Sequence, residues 1–518
     1  MFSKKEWIII LVMVGIKLTF HFLTSGNYEL HRDALLYVSL GDHPGWGYAS
    51  VPPSIGILAN ISRFLFGDSL FGIRFFPAIA GGLSMFLVAL LVREFGGKSF
   101  ALLVGCTAYL FSVAYLRTNS LFQPVAFNQF YWLLSYYLLI RLVKSGKTTT
   151  WIWIGVVWGL AILNKYSIAF FALAAVGGML ISDQRKLLFN WHFLTGMTAG
   201  FLIFLPNLIW QYNHNWPVVR HLTELRETQL VYVNLGDFIF MQFLMNAHAL
   251  LVWIAGLIIV FTKRGMERFR FISYSFFLCL VILMIFRGKA YYTLGLYPVL
   301  FAAGAVALED WFVRRIYFLR YVAMVLIIGT ALPFIPLSAP LLPQDRLVGY
   351  SAWVSKIIGP GLITWEDGVV HEIPQDFADM TGWKQLADIT TAAFNTLSQQ
   401  EKEKCMIYAP NYGRAAAISF YGKPLGLPEP VSFNDAFLLW APDEFKESVL
   451  IYVDRDTANI SNGFESIELY GKVNDPYFRE NGIPVYICRG PNREFTDLYK
   501  SVALEQKAVY KRDQDEIP

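Results

Sequence analysis

From residue 6 to about 339 the chain is a succession of apolar runs, most of them roughly 17–25 residues long, the length that crosses a bilayer as a helix. Only 16% of its residues are charged and 55% are hydrophobic, with a mean hydropathy of +0.43; soluble chains carry about 25% charge. The pattern predicts a polytopic α-helical membrane protein with about eleven transmembrane helices. These fall near 6–24, 72–92, 99–116, 122–142, 151–163, 166–182, 193–210, 238–262, 270–286, 292–309 and 318–339. The two short runs 151–163 and 166–182 meet at LNKYS, which reads as a turn at a membrane edge or a cavity. The first run follows Lys4 and Lys5, is too long for a secretory core and lacks a small-residue cleavage site, so it reads as an uncleaved anchor.

Connections alternate in charge. Lys4 and Lys5, Arg93 and Lys98, Arg141, Lys144 and Lys147, Arg185 and Lys186, the cluster Lys263–Arg270, and Arg314 and Arg315 fall in one set of connections, which the positive-inside rule makes cytoplasmic. The opposite set holds a first outer loop (25–71), residues 117–121, Lys165, the loop 211–236, the RGKAYY segment and the tail. An inside N-terminus and an outside tail follow. The net charge of +4 does not imply nucleic acid, because no basic stripe with interleaved aromatics is present.

Charge rises after residue 339, dividing the chain into a transmembrane region (1–339) and an extracytoplasmic α/β domain (340–518). WKQLADITTAAFNTL (383–397) has helical periodicity. CMIYAP (405–410), SVLIYVD (448–454) and PVYICRG (484–490) read as strands. VYKRDQDEIP reads as a solvated end. Cys106 and Cys279 lie in apolar runs as small hydrophobes; Cys405 and Cys488 could form a disulfide in an oxidising compartment.

The first outer loop places many ionisable groups at the mouth of the first span: Glu29, His31, Arg32, Asp33, Asp42 and His43. On a helix starting at Glu29, Asp33 lies at i+4 and shares its face. Paired carboxylates raise one another's pKa and can supply a general base. The plainer reading is a hydrated loop whose charges keep it out of lipid. Trp46 and Tyr48 read as interfacial anchors. Lys165 interrupts an apolar stretch, as a functional cation or a snorkelling one. Arg287 and Lys289 lie among Tyr291, Tyr292 and Tyr297, where cations suit an anionic lipid headgroup, a phosphate above all. Gln123, Asn128 and Gln129 read as bundle hydrogen bonds. His214, His221, Glu224 and Glu227 share a loop whose spacing is not diagnostic of a metal site. Hydrolase triads, zinc-protease motifs and P-loops are absent from the sequence. Two classes remain: an enzyme acting on a lipid-linked substrate, and a transporter, for which no repeat symmetry is visible.

YELHRDALLY, GWGYASVPP, SLFQPVAFNQFYW, ILNKYS, LPNLIWQYNHNWPVV, RGKAYYTLGLYP, PQDFADMTGW and NYGRAAAISFYG resemble, in the same order, segments of bacterial glycosyltransferase family 39. That group has the GT-C fold and is related to protein O-mannosyltransferases and the lipid A aminoarabinose transferase. The resemblance covers roughly residues 5–440. It implies an inverting transfer from a polyprenyl-phosphate-linked sugar to an acceptor hydroxyl on a lipid, glycan or protein, at the outer face of a bacterial cytoplasmic membrane. It implies Asp33 as the base, tuned by Glu29. It implies phosphate binding by Lys289 and Arg287, then Lys165 and Arg117, with Tyr292 as a hydrogen-bond donor. Arg32, His31, Tyr48, Pro53 and Glu224 complete the expected substrate-binding set. No cofactor is required, and a divalent metal is left open. Relatives often carry an acid where this chain has Ala34, Asn128 and Arg414, which keeps a lipid-binding pseudoenzyme as an alternative.

Overall fold

The computed structural model describes residues 2–228, 234–314 and 318–511. Arg315 and the last residues of the expected solvated end, 512–518, lie outside that set. The chain divides into two compact units: 2–25, 74–208 and 222–341 form one, and 26–73, 209–221 and 342–511 the other.

The first unit is helical. Its opening helix, Lys4–Thr24, starts in a capping box in which Ser3 Oγ accepts from the Glu6 N–H and the Glu6 carboxylate accepts from the Ser3 N–H. Helix is present in all eleven apolar segments. Among the described residues six helices are long and apolar enough to cross a membrane, or up to eight if each bent pair is one span. Ser99–Leu110 and Val113–Ser120 meet at 59°, and Leu235–Leu244 and Ala247–Thr262 at 60°. Expected as continuous spans, both are broken, and one polar contact joins the two breaks: Ser112 Oγ bonds Asn246 Oδ1 at 2.9 Å, both residues fully buried. Irregular backbone at membrane depth survives only where protein satisfies it. The LNKYS turn joins Thr150–Ile162 to Ile168–Ile181 and is pinned by Asn164 Nδ2 donating to the Pro124 carbonyl.

The second unit carries a four-stranded sheet: β1 (Cys405–Tyr408), β2 (Val449–Tyr452), β3 (Phe464–Lys472) and β4 (Pro484–Pro491), in the order β1-β2-β4-β3. β1 and β2 run parallel; the other pairs are antiparallel. Met406, Leu450 and Cys488 face the Arg493–Ala508 helix, while the Trp383–Asn395 helix packs on the sheet from β2, β4 and β3. Covered on both faces, β2 is buried at every position.

The register corrects the expected disulfide. Cys405 pairs with Val449, and Cys488 with Leu450, so a strand separates the cysteines and they point to opposite faces. Two strand spacings, about 9–10 Å, exceed the roughly 7 Å a bridge tolerates; both thiols are free and buried.

Candidate active site

The Asp33 side chain is built by an uncommon helix start. His31 takes the cap position in extended geometry, and its Nδ1 accepts the Asp33 N–H at 3.1 Å, so the helix is Arg32–Asp42. This corrects the shared Glu29–Asp33 face: Glu29 precedes the helix. Its carboxylate instead accepts from the N–H groups of Trp383 (2.7 Å) and Lys384 (3.1 Å), capping the start of the Trp383–Asn395 helix.

Burial pushes the Glu29 carboxyl up to about 7 from an ordinary 4.5, against the pull of those two N–H bonds. The folded form therefore keeps this proton over an interval in which the unfolded chain has lost it, and stability falls as pH rises from 4.5 to about 7. Melting of the purified protein across pH 4.5–8 is expected to show that decline, and Glu29→Gln to flatten its acidic half. An unchanged slope in the variant would remove Glu29 as its source.

Asp33 lies in the first helical turn, where the helix dipole favours a carboxylate, and its side chain is 34% exposed. Its Oδ1 accepts from the Tyr412 hydroxyl at 2.9 Å, and the Arg32 guanidinium stacks on the Tyr412 ring at 4.5 Å. Tyr412 opens the Tyr412–Gly422 helix, capped by Asn411. Gly413 allows this approach: a Cβ there would meet Arg32 Cγ at 2.8 Å and Nε at 2.9 Å. Burial and the neighbouring Asp33 charge push the Tyr412 hydroxyl well above its ordinary value, so it remains a donor.

His31 closes the other side. Its Nδ1 lies 4.0 Å from Asp33 Oδ2, and its Nε2 lies 3.8 Å from Asp376 and 3.9 Å from Asp379. Burial alone lowers the imidazole pKa, but the three acids outweigh it and hold the ring above its ordinary value. Asp435, with a left-handed φ of 53°, accepts from Ser50 Oγ at 3.1 Å. Burial raises its carboxyl, His221 pulls it back, and the Asp33 charge raises it further. Tyr412, Asp376, Asp379 and Asp435 were not expected from sequence. The only signal was that PQDFADMTGW and NYGRAAAISFYG stand out as motifs.

Tyr48 is buried rather than an interfacial anchor: its hydroxyl donates to the Leu40 carbonyl at 2.9 Å and accepts the Gly45 N–H, bracing the turn. Pro53 is buried at the cap of the Ser54–Phe66 helix. Glu224 is exposed on the Pro217–Thr228 helix. His214 stacks on Trp210 at 4.1 Å. Among the described residues no group of three or more His, Cys, Asp or Glu is arranged to hold a metal ion.

In the helical unit one of the expected phosphate-binding cations meets the RGKAYY tyrosines. From the LNKYS turn, the Lys165 ammonium lies 5.0 Å over the Tyr292 ring and 5.8 Å from that of Tyr291. Those tyrosines follow Lys289, which caps the 3₁₀ turn Ala290–Leu296 and whose carbonyl accepts the Tyr292 N–H. Arg287 is exposed, with a left-handed φ of 52°. Arg117 is exposed in the last turn of Val113–Ser120. The fold thus joins Lys165 to the RGKAYY segment across more than a hundred residues of chain.

Residues 50–210 match the family model described as dolichyl-phosphate-mannose-protein mannosyltransferase. No curated protein sequence matches the chain. Among solved structures the chain is similar to ArnT from Cupriavidus metallidurans bound to undecaprenyl phosphate. The TM-score is 0.65 at 13% identity, over 94% of this chain and 98% of that one. The apo state of ArnT gives 0.64 at 14% identity, over 93% and 97%. An oligosaccharyltransferase from Archaeoglobus fulgidus is more distant, at a TM-score of 0.46 and 13% identity over 86% and 68%. The chain thus has the fold of the ArnT structures over nearly its whole length, and the mannosyltransferase family model matches about a third of it.

Proposed function

We propose that this protein is an inverting glycosyltransferase that moves a sugar from a polyprenyl phosphate to an acceptor hydroxyl at the outer face of a bacterial cytoplasmic membrane. The observation that carries the reading is Asp33: a partly exposed carboxylate at a helix start, oriented by a tyrosine hydroxyl. Asp33 takes the acceptor proton as the acceptor oxygen bonds to the anomeric carbon. The bond from that carbon to the phosphate oxygen breaks, and the polyprenyl phosphate leaves as an anion. The capture of ArnT with undecaprenyl phosphate supports a lipid-phosphate donor. We assign the phosphate to Lys165, Lys289 and Arg287 on their charge, with Arg117 as a further cation and Tyr292 as a hydrogen-bond donor. His31 and Arg32 act through the Asp33 network.

Native mass spectrometry of protein purified gently from its own membranes should show a co-purified polyprenyl phosphate carrying a sugar mass. Lys165→Ala and Lys289→Ala are each expected to raise the donor KM roughly tenfold or more, the loss of one charge-assisted hydrogen bond. Bulk phospholipid alone, with unchanged donor kinetics in both variants, would remove the assignment.

Tyr412→Phe keeps the ring under Arg32 and deletes only the bond to Asp33. Turnover is expected to fall about tenfold, for a contribution near 1 kcal/mol, with donor KM unchanged. A variant altered only in KM would make Tyr412 a binding residue rather than one that orients the base.

A further inference from the structure

The sheet-bearing unit contains a cleft of about 280 Å³, near the small end of the roughly 300–1,000 Å³ of ligand pockets. Neither the Asp33 network nor the cations assigned to the phosphate line it. Tyr408 and Tyr452, register partners on β1 and β2, line it with Tyr499 of the Arg493–Ala508 helix. Asp456 and Asn459 stand exposed on its rim.

The polar groups define what could enter. Asp454 also lines the cleft, but its charge is held by Arg414 at 2.7 Å. Arg414 is shared with Glu480 at 2.8 Å, and Asp456 adds a further carboxylate, so the local balance is negative. An anionic ligand such as a lipid phosphate is disfavoured. An ammonium ligand would need acceptors only. This rim offers both kinds of group: the Tyr408 hydroxyl and the Asn459 amide can donate, and Asp456 accepts. Among the described residues neither the Tyr408 hydroxyl nor the Asn459 amide has a hydrogen-bond partner. The Tyr452 hydroxyl already donates to the Asp456 carbonyl at 2.8 Å, which leaves it an acceptor. Donors and acceptors interleaved over aromatic walls match sugar hydroxyls alternating with apolar C–H faces.

We propose that this cleft binds a neutral saccharide, as a docking subsite for a glycan acceptor. Use as an acceptor subsite rests on the glycosyl-transfer reading; saccharide binding itself does not. Saturation-transfer NMR and calorimetry on the full-length protein in nanodiscs, with neutral hexasaccharides of glucose and of mannose, test it. Binding by at least one is expected, also in Asp33→Asn. Tyr408→Phe combined with Asn459→Ala should weaken it roughly tenfold, the loss of one or two hydrogen bonds, and Val502→Trp should block it by filling the cleft. Absence of binding by either neutral hexasaccharide, preference for a cationic glucosamine hexasaccharide, or binding that survives Val502→Trp would each overturn the proposal. Loss of transfer in Asp33→Asn with saccharide binding retained separates this subsite from the catalytic assignment.

Discussion

Asp33→Asn is expected to lower the transfer rate by about 10²–10⁴-fold, the contribution of a positioned general base, while leaving the fold intact. The amide is nearly isosteric, and its oxygen can still accept the Tyr412 hydroxyl that Asp33 accepts at 2.9 Å. The cap made by His31 uses the backbone N–H of residue 33 rather than its side chain, so the start of the Arg32–Asp42 helix is also kept. Proton acceptance is lost, together with the charge that helps hold His31 above its ordinary value. The effect should therefore fall on turnover, with donor KM and melting temperature close to those of the parent. Transfer from a radiolabelled polyprenyl-phosphate sugar, followed at saturating donor, measures it. Turnover within a few-fold of the parent would move the base to another residue. Low turnover with a collapsed melting temperature would make Asp33 structural.

The sequence showed what depends on local pattern. Apolar run length marked the helices of the first unit, and short β-branched runs located β1, β2 and β4. β3 escaped because it is an edge strand: Glu465, Ser466 and Glu468 interrupt its apolar residues, as charges do on exposed strand edges. The helix start at Arg32 was hidden because histidine is not among the favoured caps, so Glu29 was drawn into a helix it only precedes. Asp33 could be singled out, but its partner Tyr412 lies 379 residues away, and no local spacing links them. The cysteines failed for a related reason: two strands of the right character say nothing of register, and one position of register decides the face. The bends at 111–112 and 245–246 carry no proline or glycine; Ser112 and Asn246 were the only cue, legible once seen bonded.

Arg414→Ala is expected to destabilise the sheet-bearing unit by up to about 3–5 kcal/mol, the cost of orphaning the carboxylates of a largely buried ion pair. The Arg414 side chain is 11% exposed and bonds Asp454 at 2.7 Å and Glu480 at 2.8 Å, whose side chains are 18% and 13% exposed. Nη1 also reaches the Val453 carbonyl. Two carboxylates that shared one guanidinium would face each other across the space it leaves, still largely out of water. The cost belongs to those stranded charges more than to the lost attraction. A compensated variant, Arg414→Met with Asp454→Asn and Glu480→Gln, should therefore recover most of the stability that Arg414→Ala loses. Arg414 lies two residues after Tyr412 on the same helix, so a loosened helix also releases the hydroxyl that orients Asp33. Melting and turnover should fall together in Arg414→Ala and return together in the triple variant. A triple variant as unstable as the single one would place the energy in the guanidinium's own contacts. Stability restored without turnover would show that the charges around Arg414 act on the reaction directly, beyond holding Tyr412 in place.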